Sequence, residues 1–480
     1  MSDFVQYYQL RQEAKLLDDE IKQLAQAQPG KALQLHQEAA TLYQQLFQLR
    51  PDSYNANRYI HHMRKRGVNE AREASKFARK VADQYKDFLS DTYFVSEYVW
   101  SIYDGYLKNS RRQNDSFVED NENEETSVQV SSKDLSVKVE AARRIFALTT
   151  EAFPRIRTAF VICKEAKLHK RWDIVQEFGH KLQPETISTK REKINGRLGL
   201  SDYQQWLYAV TRAALELQQY DECRAYAHMG IEKYPDESLH FQRWEALAKI
   251  RTGDVQGGLD QLKYIDARFP KQWYIQGDIA QVYMQLKQQQ EAWLWFCRAV
   301  SAPGDVKGRI TLLKAMCELL QSQEEWQATY HHLLLVWAIE TAFGSKENYI
   351  ERTRQKILAL KKAHADVLSP LPDDKGTKAP PLGKVLKLCR IIWQETLQTA
   401  TPTKTGKIVQ LNEQQQFGFI EDEQGNRYHF KFSAFVRGQP EMHMQIKFAL
   451  VESFDKKKDR MSVTATNIRP QKNAQDSISN

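Results

Sequence analysis

The sequence predicts a mainly α protein: a long helical-repeat solenoid followed by a small all-β barrel of five strands. Three observations carry this expectation. Up to about residue 367, Leu, Ala, Gln, Glu, Lys and Arg dominate, with apolar residues at spacings of three and four, as in "AATLYQQLFQL" and "AARRIFALTTEAF". Similar helical segments recur, each followed by a proline. After Thr405 the period changes, and short strand-like runs alternate with turn-formers.

The chain has 480 residues, enough for two to four domains on the rough prior of 100–200 residues each. Its 41% hydrophobic content suits a globular protein rather than a disordered one. No apolar run reaches the roughly 18 residues a membrane helix needs, so no membrane partner is expected. The opening stretch "MSDFVQYYQLRQEAKLLDDE" is charged, helical in pattern and unlike a secretory signal, which makes the cytoplasm the expected compartment. Five scattered cysteines, with no CxxC pair, read as buried reduced side chains.

The solenoid is expected over residues 1–367. Compare "EAATLYQQLFQLRPDS" (38–53), "EAARRIFALTTEAFPRI" (140–156), "ECRAYAHMGIEKYPDE" (222–237) and "EAWLWFCRAVSAPGD" (291–305). Each has a small residue early (Ala39, Ala142, Cys223, Ala292) and a second packing residue four later (Tyr43, Phe146, Ala227, Phe296). Pro51, Pro154, Pro235 and Pro303 are expected to end the helices. Pro270 closes a further unit, about 35 residues after Pro235, the period of a two-helix repeat. A lone helix pair cannot bury its apolar face, so pairs stack, and small residues let them approach closely.

Two polar stretches interrupt this pattern. The acidic, aromatic-poor segment 109–138 is expected to be a flexible insertion. "SPLPDDKGTKAPPLG" (369–383) marks a boundary, and 368–404 is expected to be a linker carrying one helix, "KVLKLCRIIWQETLQ". Five runs then follow, "GKIVQL", "FGFIE", "RYHFKFSAF", "QIKFALVES" and "MSVTATNI", which fit a closed barrel of the OB type over 405–470. A disordered tail is expected over 471–480.

The helical units resemble the tetratricopeptide repeat family. In "WLYAVTRAALELQQYDECRAYAHMGIEKYPDE", Leu207, Val210 and Ala214 take the first-helix packing positions, Tyr220 opens the second helix and Cys223 takes the small-residue position. Ile279, Ala280, Tyr283, Ala292, Phe296 and Ala299 match in the same way. The resemblance spans about 35–340 and implies a surface that grips protein partners.

The barrel segment resembles a cold-shock domain. The match is carried by Gly406, Ile408, Asn412, the run Phe417-Gly418-Phe419-Ile420, the run Phe432-Ser433-Ala434, and the closing Ala465, Asn467 and Ile468. Side chains along a strand alternate between faces. Ile420 is the better core residue, so Phe417 and Phe419 are expected to face out. In the next strand Tyr428, Phe430 and Phe432 alternate with Arg427, His429 and Lys431, and the polar set faces solvent. Pairing as in the family gives one platform of Phe417, Phe419, His429 and Lys431, with Phe432 at its rim. Exposed rings beside cations suit single-stranded nucleic acid, because every base offers a flat face. Lys407, Arg427, Lys431 and the loop cations Lys456, Lys457, Lys458 and Arg460 are candidates for phosphate. Gln410 and Leu411 stand where the family carries aromatics, Gln415-Gln416 replaces its Lys-Gly, and His429 and Lys431 replace its Phe and His. Fewer rings imply weaker stacking than in a free-standing cold-shock protein.

Charge agrees with this placement. Residues 351–470 hold 21 Lys and Arg against 13 Asp and Glu, which accounts for the whole net charge of +8. The tandem histidines His61-His62 and His331-His332 diverge on a helix and are not expected to chelate a metal. "RKRG" (64–67) reads as a solvated turn. There is no GxxxxGKS, GxSxG or HExxH motif. The expected protein is therefore not an enzyme and uses no cofactor. It is an adaptor that holds protein through its solenoid and single-stranded nucleic acid, RNA ahead of DNA, through its barrel. The alternative is a pure protein-interaction scaffold. The pairing of repeat array and cold-shock-like barrel also resembles accessory proteins of bacterial conflict systems.

Overall fold

The computed structural model describes residues 3–24, 27–108, 132–194, 196–369, 371, 377–400, 403–436, 438–455 and 460–471. Among them are eighteen α-helices and a closed five-stranded barrel, so the chain is a helical-repeat protein with a C-terminal β-barrel. Packing divides it into two compact units, with the main division of the chain after Pro235.

The first unit holds α1 (Asp3–Leu24), α2 (Pro29–Leu49), α3 (Ser53–Arg66), α4 (Val68–Gln84), α5 (Thr92–Ile102), α6 (Ser132–Leu148), α7 (Ala152–Leu168) and α8 (Trp172–His180). A two-residue hairpin, β1 (Lys193–Ile194) and β2 (Arg197–Leu198), precedes α9 (Asp202–Glu216) and α10 (Tyr220–Lys233). Local chemistry sets the starts. The Asp52 carboxylate accepts from Asn55 N at 2.8 Å, Asp91 caps Tyr93 and Phe94, and Ser201 Oγ accepts from Gln204 N at 3.1 Å. The repeat residues do what their size suggests: Ala39, Ala142 and Cys223 are fully buried.

Three expectations change here. Pro154 does not end a helix; α6 stops at Leu148 and Pro154 sits in the first turn of α7, where a missing N–H is tolerated. The segment 109–131 lies outside the described residues, while 132–138 belong to α6. "RKRG" is the last turn of α3 and its junction with α4 at Gly67, but it is not wholly solvated. Arg64 is largely buried, pairs with Glu97, and its Nη1 lies 2.8 Å from Asp104 Oδ2.

A buried polar network ties α1, α2 and α3. Asp18 accepts from Tyr43 Oη at 2.7 Å, pairs with Arg58 and lies 2.8 Å from His62 Nε2. His62 Nδ1 in turn lies 2.9 Å from His36 Nδ1. Burial pushes the Asp18 carboxyl up, but the His62 and Tyr43 hydrogen bonds and the Arg58 charge outweigh it and hold the pKa at about 2.

The second unit begins with α11 (Leu239–Arg251), α12 (Val255–Arg268), α13 (Trp273–Gln285), α14 (Gln289–Ser301), α15 (Ile310–Ser322), α16 (Trp326–Ala342) and α17 (Glu347–Ala363). Its core is continuous, and it takes in α18 (Leu382–Ala400) through Val385, Cys389 and Trp393. Trp393 Nε1 donates to His332 Nε2 at 2.8 Å, and Trp293 Nε1 donates to Thr396 Oγ1 at 3.0 Å. Ser369 N donates to Gln327 Oε1 at 2.8 Å, which straps the chain leaving α17 onto α16. The helix of the expected linker is thus a packed member of the array. All five cysteines are buried, and none forms a disulfide.

The barrel is built from β3 (Thr403–Asn412), β4 (Phe417–Asp422), β5 (Arg427–Lys431), β6 (Gln445–Asp455) and β7 (Arg460–Pro470). They close in the order β3-β4-β5-β7-β6, with β6 returning to pair with β3. Ile408, Ile420, Phe430, Ile446, Phe448, Ala465 and Ile468 fill the interior. No helix among the described residues is long and apolar enough to cross a membrane.

Candidate nucleic-acid interface

Strand β4 alternates strictly: Gly418, Ile420 and Asp422 are buried, while Phe417, Phe419 and Glu421 are half-buried on the outer face. The pairing of β4 with β5 sets Phe417 opposite Lys431, Phe419 opposite His429 and Glu421 opposite Arg427. Phe417, Phe419 and His429 therefore meet outside the barrel core. The two phenylalanine centroids lie 6.0 Å apart with planes at 86°. His429 lies 5.3 Å from Phe417 and 5.6 Å from Phe419. Edge-to-face packing of this kind holds rings in place while leaving some faces open.

The cations differ in their engagement. Lys431 and Lys407 are exposed and form no ion pair among the described residues. Arg427 is exposed, and its Nε lies 3.0 Å from Glu421 Oε2. Such a surface pair is worth only about 0–1 kcal/mol, so a phosphate can compete for the guanidinium. Lys456, Lys457 and Lys458 lie outside the described residues, and Arg460 opens β7.

Phe432 is not at the rim. The strand ends at Lys431, and Phe432 begins a 3₁₀ turn that takes its ring onto the barrel core, stacked at 24° and 6.1 Å on Phe430.

The platform stands on a rigid base. Asp422 accepts from Lys404 Nζ at 2.9 Å, Tyr428 Oη at 3.0 Å, Gln424 N at 3.0 Å and Asn426 N at 2.9 Å. The Lys404 hydrogen bond, against some burial, holds the carboxyl well below the usual carboxylate range. This arrangement locks the turn at Gly425, whose φ of 83° is the left-handed conformation glycine adopts without strain.

One feature of the site escapes a simple reading of the sequence. β3 pairs Ile408 with Ile420 and Gln410 with Phe419, so Val409 is an extra residue, a β-bulge. Strict alternation from the buried Ile408 would send Gln410 inward. The bulge turns it outward, beside Phe419. A polar residue at an inward parity was the available signal.

Among the described residues no cluster of three or more His, Cys, Asp or Glu could hold a metal ion. A cavity of about 200 Å³ in the first unit is lined mainly by Val95, Val99, Trp100, Leu148, hydroxyls and Glu151. It has a single carboxylate and no second titratable partner.

The fold and this outer face define a helical-repeat chain that ends in a barrel with a small ring-and-cation surface. No protein-family model matches the chain, and no curated protein does. Among solved structures, the human IFIT1 dimer with PPP-AAAA is similar at 11% identity, over 78% of this chain and 86% of that one, with a TM-score of 0.37. Yeast Tom70 is similar at 10% identity over 81% and 96%, with a TM-score of 0.25. The TPR2AB domain of yeast Sti1 in its pHSP90 complex is similar at 12% identity over 59% and 98%, with a TM-score of 0.19. Likenesses at these scores carry no conclusion about function.

Proposed function

We propose that this chain is a non-catalytic adaptor whose barrel is a cold-shock-like domain that binds single-stranded nucleic acid, RNA ahead of DNA, while its helical array holds a protein partner. The observation that supports this reading is the outer-face cluster of Phe417, Phe419 and His429, set directly against the exposed Lys431. Stacking supplies a sequence-tolerant contact worth roughly 1–3 kcal/mol per base, and the lysine supplies attraction to phosphate that weakens with salt. Joining the two activities on one chain raises the local concentration of a bound protein near nucleic acid.

The test is fluorescence anisotropy of the full chain with labelled eight-nucleotide RNA and DNA at two salt concentrations. Binding that falls as salt rises, and that is lost in Phe417→Ala/Phe419→Ala, is expected. Absence of binding at low salt, or unchanged affinity in the double variant, overturns the proposal in favour of a protein-docking barrel.

A further inference from the structure

Resting on that reading, we infer that Gln410 selects the base stacked on Phe419 and favours adenine. Three observations converge on this residue. The bulge at Val409 places Gln410 directly across from Phe419. Residues so paired on one face have Cβ atoms about 4.5–5.5 Å apart, within reach of a long side chain. Gln410 is exposed, and its carboxamide forms no hydrogen bond among the described residues. Asn412, the other amide on this strand, is already engaged, its Oδ1 accepting from Gln415 N at 3.0 Å.

The bulge is specifically accommodated. A Cβ at Gly418 would meet the Gln410 carbonyl oxygen at 2.6 Å and the Phe430 ring at 2.6 Å. Gly418 therefore lets the bulged strand press close to β4, in the register that sets Gln410 across from Phe419. Bulges are used in this way to re-aim a side chain at a site.

A base lying flat on Phe419 projects its polar edges sideways over the neighbouring strands, towards Gln410 on β3 and His429 on β5. A carboxamide offers a donor and an acceptor side by side. Adenine matches such a pair on both free edges, N6 with N1 and N6 with N7. Guanine matches the pair on its O6/N1–H edge alone, its N7/O6 edge being two acceptors, and each pyrimidine has a narrower ring and less area to stack. Glutamine paired to adenine through N6 and N7 is an established contact geometry.

The test is anisotropy of the full chain with fluorescein-labelled A8, U8 and C8 RNA. A8 is expected to bind about tenfold more tightly than U8, the size of one good bidentate contact. Gln410→Leu removes that preference while U8 affinity stays within about twofold, since stacking is retained. Gln410→Glu shifts preference towards C8, whose N4 amino group donates to a carboxylate. Equal wild-type affinity for A8 and U8, or a preference that persists in Gln410→Leu, overturns the inference and leaves the nucleic-acid reading standing. No binding of any oligomer overturns both.

Discussion

Phe419 faces His429 across the β4–β5 pairing, their ring centroids 5.6 Å apart at 73°, on the side of the barrel that its core does not occupy. Edge-to-face packing of the imidazole and the benzyl ring fixes both without fully burying either. The platform is thus pre-formed, and a base that lands on it does not first have to order the side chains beneath.

Removing the two benzyl groups tests the surface directly. Phe417→Ala/Phe419→Ala is expected to cost roughly 1–3 kcal/mol per stacked base. The barrel should stay folded, because neither ring belongs to the cluster of Ile408, Ile420, Phe430 and Phe448. Anisotropy with single-stranded RNA and near-ultraviolet circular dichroism separate the two effects. A barrel that unfolds would place the rings in its core.

Gly418→Ala should have the opposite signature. The added methyl has no room between the Gln410 carbonyl and the Phe430 ring, each 2.6 Å from its position. Overpacking of this kind costs about 1–3 kcal/mol. A lowered thermal midpoint of the barrel is expected, read by hydrogen exchange across β3 and β4. An unchanged midpoint would show that the bulge relaxes freely.

The α16–α18 contact predicts that the segment before the barrel is not a loose tether. His332 is fully buried, its Nδ1 donates to Ala328 O at 2.8 Å, and its Nε2 accepts from Trp393. Burial lowers its pKa to about 4, so the ring is neutral at pH 7. Trp393→Phe leaves a buried acceptor unpaired, a loss of about 1–3 kcal/mol. Faster hydrogen exchange in α18 is the expected readout, and protection equal to wild type would contradict the contact.

The polar network of the first unit predicts acid sensitivity. Burial, then the charges of His62 and His61, lowers His36 from 6.5 to about 4. An unfolded chain therefore binds a proton near pH 6.5 that the folded one refuses until about pH 4. The stability this neutral ring allows is complete above pH 6.5 and falls as pH drops towards 4. Asp18 and Glu97, both held at about 2 in the folded chain, add a second loss as pH falls below the usual carboxylate range. Hydrogen exchange of α1–α3 should accelerate in two stages on acidification, and His36→Gln should flatten the upper stage alone. Exchange that is independent of pH between 7 and 4.5, once corrected for intrinsic rates, would contradict this.

Much of the molecule was legible in the sequence because it depends on local period. Spacings of three and four placed the helices, small residues such as Ala39, Cys223 and Ala292 marked where pairs approach, and alternation in "FGFIED" turned Phe417 and Phe419 outward. What tertiary structure alone decided depends on partners distant in the chain. Trp293 meets Thr396 across 103 residues, and His62 meets Asp18 through a network no helical pattern encodes. The turn after Lys431 packs the half-buried Phe432 ring against the core rather than at the rim of the platform. The bulge at Val409 reverses the parity of Gln410, because closing a twisted sheet makes one strand longer than the strand it opposes. Period fixes which face a residue takes within its own element, and closure and packing decide where that face finally points.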